Sequence, residues 1–120
     1  ERIALFPEGT SSDGQRVLPF KPALFAAFLD GAPPGLSLQP VTIRWQAPKG
    51  EDPRFYGWWG DQDLGPHLLA VLAVRQQGAL TVIRHESLRP DGRDRKAPAA
   101  LAEGMVRKGL ESGEVQMIAR

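Results

Sequence analysis

A short apolar run that ends in a proline and an acid is the feature that most constrains the fold of this chain. Residues 3–6 combine aliphatic and aromatic side chains that favour a buried β-strand. Pro7 has no N–H group to donate to a central ladder, so the strand is expected to end there, with Glu8 at its carboxyl end. In open α/β sheets, ligands bind in the crevice outside those ends. The run therefore predicts a carboxylate at a ligand-binding edge of a sheet.

The loop after Glu8 is polar and offers many hydrogen-bond donors. Backbone N–H groups and hydroxyls that could converge on a polar or anionic ligand come from Gly9, Thr10, Ser11 and Ser12. A strand followed by a Pro-Gly turn and a solvated loop explains the same residues without any ligand. Taken alone, the loop leaves both interpretations open.

Apolar spacing along the rest of the chain predicts helices and strands in alternation. Helical periodicity covers residues 22–31, 63–78 and 98–110. Strand-like patterning covers residues 36–45 and 79–88. Pro40 lies inside the first of these two strands, so a bulge, an edge or the start of the strand is expected near it. This order of elements predicts a layered α/β fold with a largely parallel sheet and flanking helices.

Two further segments leave a role at a lipid surface open. Residues 55–59 carry four aromatic side chains, which either fill a core beneath a long loop or anchor the chain at the headgroup level of a membrane. Residues 89–96 hold four basic and two acidic side chains, which are either solvated or in contact with anionic lipid. Neither pattern distinguishes its two interpretations.

Composition excludes several classes of function. The 15 basic residues against 14 acidic ones leave a net charge of +1, which gives no electrostatic case for nucleic-acid binding. The absence of cysteine excludes disulfides and thiolate chemistry. No apolar run approaches the ~18 residues that a membrane span requires. A length of 120 residues fits one domain or a large part of one.

Three blocks of the sequence occur in an order that resembles a known enzyme superfamily. The blocks are FPEGTSS at residues 6–12, FK at residues 20–21 and LQPVTI at residues 38–43. They are similar to the F-P-E-G-T-R-S block, the following Phe-Lys pair and the V-x-P-V-x-I block of the glycerolipid acyltransferases of the lysophosphatidate acyltransferase superfamily. Residues 58–72 more loosely resemble bacterial members that acylate lyso-ornithine lipids. The resemblance implies part of a glycerol-phosphate acyltransferase-like fold.

The sequence departs from the superfamily pattern in two places. Ser11 stands where the third block carries arginine. The catalytic H-x-x-x-x-D block is absent, because the fifth residues after His67 and His85 are Leu72 and Pro90. No catalytic residue is therefore predicted. Residues 1–120 are expected to be the C-terminal part of an acyltransferase domain, inactive without the upstream His-Asp block.

The resemblance implies a transferase of acyl groups other than amino-acyl groups. Such an enzyme moves a fatty acyl group from an acyl thioester to a lysolipid hydroxyl in membrane lipid and phospholipid metabolism. The co-substrate is an acyl carrier protein or coenzyme A thioester, and no metal or other cofactor is implied. The expected partners are the lysolipid acceptor, the thioester donor, a membrane surface and the upstream part of the domain. The expected location is cytoplasmic, peripheral to or anchored on the inner face of the cell membrane.

The third block of the superfamily holds the acceptor head group. Carried over to this sequence, that role falls on Glu8, Gly9 and Thr10, with Ser11 at the departing position and Lys21 as a further candidate. Because Ser11 brings no charge, a lyso-ornithine lipid is favoured as acceptor over lysophosphatidate. An alternative from another class is a non-catalytic module that binds lipid or a membrane interface.

Overall fold

The computed structural model describes residues 2–31, 33–90 and 96–112, which contain three helices and two strands. In chain order the elements are α1 (Pro22–Leu29), β1 (Val41–Gln46), α2 (Leu64–Ala73), β2 (Ala79–Arg84) and α3 (Lys96–Glu111). Each of the three predicted helices is present, and both strands predicted after residue 35 are present in shortened form. The α/β class is thereby confirmed.

The two strands form an antiparallel pair. Val41 lies opposite Arg84 at one end, and Gln46 lies opposite Ala79 at the other. Pro40 comes directly before β1, so its missing N–H falls outside the ladder, as expected for a proline at the start of a strand. Its carbonyl still accepts a hydrogen bond of 2.9 Å from the N–H of His85.

The prediction of a largely parallel sheet is wrong for this pair of strands. A parallel β-α-β unit needs a crossover helix that packs on the sheet. No residue of α2 is buried, so this helix does not cover β1 and β2. The connecting residues 47–78 instead return to the end of the sheet that they left, because Gly78 abuts the carbonyl of Gln46. The second strand therefore runs back along the first.

The predicted strand at residues 3–6 is also absent from the described structure. These residues have no ladder partner among the described strands, which pair only with each other. Ile3 and Phe6 are 67% and 74% exposed. Strand propensity describes how a side chain fits a half-buried sheet and does not provide the neighbouring strand.

A small apolar core lies between α1 and α3. Phe25 and Leu29 of α1 are buried together with Ala99 and Ala102 of α3. The two alanines leave room for the larger side chains of α1, so the helices approach closely. Around them pack partly buried apolar residues from the loops and the strand flanks: Leu5, Phe20, Leu36, Leu38 and Leu88.

A polar junction joins α3 to the sheet. Thr42 of β1 is 1% exposed, and its hydroxyl donates a 2.9 Å hydrogen bond to the carbonyl of Val106. Nε2 of His85 lies 2.7 Å from the same hydroxyl oxygen. Because the single hydroxyl proton is directed to Val106, the imidazole must donate from Nε2. His85 therefore has a structural role here.

We expect the pH dependence of stability between pH 5 and pH 7 to report on His85. Burial lowers the pKa of His85 from its ordinary value of 6.5. The unfolded chain then takes up a proton before the folded chain does, so the free energy of unfolding falls as pH drops through about 6.5. Urea unfolding across this range should show a shallower pH dependence in His85→Gln, whose amide can donate but does not titrate. Parallel curves for the two proteins would contradict this expectation.

Candidate functional site

Glu8 lies in a tight turn and is fixed by one backbone contact. The N–H of Gly9 donates a 3.1 Å hydrogen bond to the carbonyl of Phe6. Gly9 has a φ of +71°, in the left-handed region that favours glycine. The half-buried Glu8 turns its carboxylate toward the following segment, and Oε2 accepts a 2.7 Å hydrogen bond from the N–H of Leu18. The turn thus presents a carboxylate with one oxygen held in place.

Lys21 closes the loop and lies over its glycine. The backbone N–H of Lys21 donates a 2.9 Å hydrogen bond to the carbonyl of Pro7. A Cβ atom placed on Gly9 would lie 3.0 Å from Nζ of Lys21 and 3.1 Å from its Cδ. The structure therefore brings together three of the predicted site residues, Glu8, Gly9 and Lys21.

The remaining two candidates, Thr10 and Ser11, lie on the exposed side of the loop. The next residues are engaged within the loop itself. Oγ of Ser12 accepts the N–H of Gly14 at 3.2 Å, and Oδ1 of Asp13 accepts the N–H of Gln15 at 3.0 Å. These side-chain turns shape the loop and leave Thr10 and Ser11 accessible to a ligand.

The loop also packs against residues 53–57, which overlap the aromatic stretch 55–59 that we call the aromatic segment, and sequence reasoning missed this contact. Nε2 of Gln15 donates a 3.0 Å hydrogen bond to the carbonyl of Pro53. A Cβ atom on Gly57 would lie 2.7 Å from the backbone of Asp13, so only glycine fits at this contact. The glycines between the aromatic residues are the sequence feature that could have indicated this close contact.

Two residues of α3 reach the same region, and sequence reasoning missed both. Oε1 of Glu103 accepts a 2.6 Å hydrogen bond from the N–H of Phe20. Nη1 of Arg107 lies 2.9 Å from Oε2 of Glu103, and Nη2 of Arg107 donates to the carbonyl of Val17 at 3.1 Å. The hydrogen bond from Phe20, followed by the contacts with Arg107, holds the pKa of Glu103 below its ordinary value despite some desolvation. We call Glu103 and Arg107 the α3 pair.

The aromatic segment is partly packed and partly exposed. The ring of Tyr56 packs against that of Trp45 at a tilt of 40°, with ring centroids 5.3 Å apart. Its hydroxyl donates to Oε1 of Gln77 and accepts the N–H of Gly78, both at 2.7 Å. Trp58 remains 39% exposed while its indole N–H donates to the carbonyl of Gln62. Tyr56 is therefore packed against its neighbours, whereas part of the Trp58 side chain is open to solvent.

Exposed leucines lie on α2, next in sequence to the aromatic segment. They are Leu64, Leu68, Leu69 and Leu72. The predicted basic loop cannot be compared with them, because residues 91–95 lie outside the described residues. Among the residues that the structure describes, no helix is long and apolar enough to cross a membrane. The same residues contain no group of three histidine, aspartate or glutamate side chains that could hold a metal ion.

Comparison with known proteins finds relatives with named activities. The chain is 51% identical over 110 residues to a lyso-ornithine lipid O-acyltransferase of Rhodobacter capsulatus, a match that covers 90% of this chain and 40% of the relative. It is 37% identical over 124 residues to a lyso-ornithine lipid O-acyltransferase of Brucella abortus, covering 93% of this chain and 45% of that protein. The mouse lysophospholipid acyltransferase LPCAT4 is 30% identical over 109 residues, or 88% of this chain and 18% of its own length.

These matches confirm the resemblance drawn from the three sequence blocks. The chain spans about two fifths of the length of the first two relatives. No family model and no solved structure matches it.

Proposed function

From the resemblance of this chain to the lysophosphatidate acyltransferase superfamily, we propose that it is the C-terminal part of an acyltransferase domain. The whole enzyme moves a fatty acyl group from an acyl thioester to the hydroxyl of a lyso-ornithine lipid. The observation that carries this proposal is the 51% identity to the Rhodobacter capsulatus protein over 90% of the chain. The donor is an acyl carrier protein or coenzyme A thioester. The enzyme works at the inner face of the cell membrane.

The proposed fold of the whole domain is a layered α/β structure whose sheet is largely parallel. In that fold residues 3–6 act as a strand of the larger sheet. The exposure of Ile3 and Phe6 supports this role, since both are large apolar side chains that a neighbouring strand and layer would cover. The antiparallel pair of β1 and β2 then forms one part of this sheet.

In the proposed reaction a histidine of the upstream part of the domain takes the proton of the acceptor hydroxyl, and an aspartate orients that histidine. The hydroxyl oxygen attacks the thioester carbonyl, so that a C–O ester bond forms, the C–S bond breaks and the proton passes to the leaving thiolate. The residues of this chain hold the acceptor in position for the attack. Orientation of two reactants can supply a large share of such a rate enhancement.

The charges that flank Gly9 suit a zwitterionic head group. An ornithine head group carries an ammonium and a carboxylate. Glu8 offers a carboxylate to the ammonium, while the ammonium of Lys21, which lies beside Gly9, can meet the carboxylate. Thr10 and Ser11 add exposed hydroxyls at the same place.

The choice of acceptor should depend on Ser11. Arginine at the corresponding superfamily position provides a planar, permanently charged fork for phosphate, whereas serine provides one uncharged hydroxyl. A charged hydrogen bond of this kind contributes about 1.5–3 kcal/mol, roughly a tenfold to hundredfold preference. We expect the full-length enzyme to prefer lyso-ornithine lipid over lysophosphatidate, and Ser11→Arg to shift the ratio of the two kcat/KM values toward lysophosphatidate by that factor.

A matched control adds the same charge elsewhere. Ser37 is also exposed and lies outside the loop, so Ser37→Arg should leave the ratio unchanged. Arg16 and Lys21 are two other cations near the loop that could bind a phosphate in place of the missing arginine, and Nε of Arg16 lies 3.9 Å from Asp13. A clear preference of the unmodified enzyme for lysophosphatidate would refute the proposal and favour a phosphatidate-forming enzyme.

A second candidate function is a non-catalytic module that binds a membrane interface. The observation that favours it is the exposure of Trp58 together with the leucines of α2, of which Leu72 is 76% exposed. Flotation of this chain with liposomes distinguishes the two functions, because a binding module should float without any upstream segment. Acyl transfer by the full-length protein would instead support the acyltransferase function.

A further inference from the structure

The segment that follows the polar loop is held from two sides at its backbone. We call residues 17–21 the linker segment. On one side, Leu18 donates its N–H to the carboxylate of Glu8 at 2.7 Å. On the other side, the carbonyl of Val17 accepts from Arg107 at 3.1 Å, and the N–H of Phe20 donates to Glu103 at 2.6 Å. The linker segment therefore lies between the turn that carries Glu8 and helix α3.

The contacts from α3 require both members of the α3 pair. Arg107 donates from Nη1 to Glu103 and from Nη2 to the carbonyl of Val17, so its planar guanidinium bridges the two acceptors in a fixed geometry. Glu103 likewise uses one oxygen for Arg107 and the other for Phe20. A partly exposed ion pair one helical turn apart contributes little to stability by itself. Its specific effect is on the position of the backbone that both side chains contact.

The helix that carries the pair is itself fixed by the core. Ala102, the neighbour of Glu103, is buried against α1 together with Ala99. Phe20 of the linker segment packs against the same core. A side chain on a packed helix has a more precisely defined position than one on a loop. The α3 pair therefore connects a rigid element to a loop residue that lies far away in sequence.

We infer that Glu103 and Arg107 are positioning residues for the acceptor site. They hold Val17 and Phe20 so that the N–H of Leu18 fixes the carboxylate of Glu8 in the orientation that meets the acceptor head group. The inference rests on the proposed function of Glu8. Its structural part, the hold on the linker segment, can be tested independently of activity.

The test uses the full-length protein with Arg107→Met, which removes the fork and keeps a long side chain. The matched control is Lys108→Met, a loss of the same charge at the neighbouring exposed position of α3. Amide hydrogen exchange at Leu18 and Phe20 should rise about tenfold in Arg107→Met and stay unchanged in Lys108→Met. In kinetics, the acceptor KM should rise roughly threefold to tenfold while the donor KM stays constant.

A double variant tests whether Arg107 acts through Glu8. In the Glu8→Gln background, Arg107→Met should have little further effect on the acceptor KM, because the two changes remove one shared function. Effects that multiply would overturn the coupling. If Arg107→Met does not fold, Glu103→Gln serves instead, since its amide oxygen still accepts from Phe20 while the ionic partner of Arg107 is lost.

The outcomes separate the inference from the function on which it rests. Unchanged exchange at Leu18 would overturn the hold of the α3 pair on the linker segment. Raised exchange with equal changes in donor and acceptor KM would overturn its link to the acceptor. Normal acceptor kinetics in Glu8→Gln alone would instead overturn the proposed acceptor role of Glu8, whatever the exchange data show.

Discussion

Replacing Gly109 with alanine should destabilise the protein by about 1–3 kcal/mol, the usual effect of overpacking a well-packed site. A Cβ atom at this position of α3 would lie 2.8 Å from Nε2 and Cε1 of His85 and would also collide with the hydroxyl of Thr42. That hydroxyl is buried and hydrogen-bonded to Val106, so it cannot move away without losing the bond. A lost hydrogen bond would add roughly 1 kcal/mol. Urea unfolding measures the change directly.

Gly104 provides the matched control on the same helix. No atom lies within 4 Å of a Cβ placed there, so Gly104→Ala gains helix propensity without a collision. We expect it to stabilise the protein by about 0.5–1 kcal/mol. The propensity gain is common to both variants, and the difference between them therefore isolates the junction of Thr42, His85 and α3. Equal stability of the two variants would show that α3 does not pack on β1 as described.

Removing the charge of Glu8 should have the largest effect on acyl transfer among the changes considered. Glutamine keeps the shape of the side chain and an oxygen that can accept the N–H of Leu18, so the fold should survive. The lost charged contact with the head group is expected to lower kcat/KM for the acceptor at least tenfold and up to roughly a hundredfold. Initial rates of the full-length enzyme at varied acceptor concentration provide the measurement.

Glu86 is a suitable control for this substitution. It is exposed and lies beyond the end of β2, outside the proposed site, so Glu86→Gln should leave acceptor kinetics unchanged. If Glu8→Gln reduced the soluble yield while the soluble fraction kept its normal specific activity, Glu8 would be structural. That result would indicate that the acceptor head group binds at another place in the protein.

Local patterns were sufficient to predict the helices and the place of Pro40. The apolar spacing around Phe25 and Leu29 predicts α1, and both residues are buried in the core. Pro40 indicated a bulge, an edge or a strand start because the missing N–H is a local property, and the structure shows the last of these. The direction of β2 is not local, because it depends on where residues 47–78 bring the chain back. The spacing of apolar residues does not determine where residues 47–78 lead the chain, so the prediction of a parallel arrangement was wrong for β1 and β2.

The candidate site shows the same division between near and distant contacts. Glu8 and Lys21 were predicted from motifs close in sequence, and the structure places Lys21 over Gly9. Glu103 and Arg107 stand four residues apart on a helix, which indicates an ion pair and nothing about its destination. Their backbone partners lie more than 80 residues earlier in the chain. Only the packing of α3 against α1 brings Glu103 and Arg107 to these backbone partners.

The hydrogen bond between the backbones of Lys21 and Pro7 joins the two ends of the polar loop, so the loop starts and finishes at the same fixed place in the fold. The entropic cost of closing such a loop grows only slowly, by about 0.6 kcal/mol for each doubling of its length. An insertion at the exposed Thr10 and Ser11 would therefore lengthen the loop without moving the helix that follows it. If the loop binds the head group as proposed, its length and content can vary while the scaffold stays unchanged.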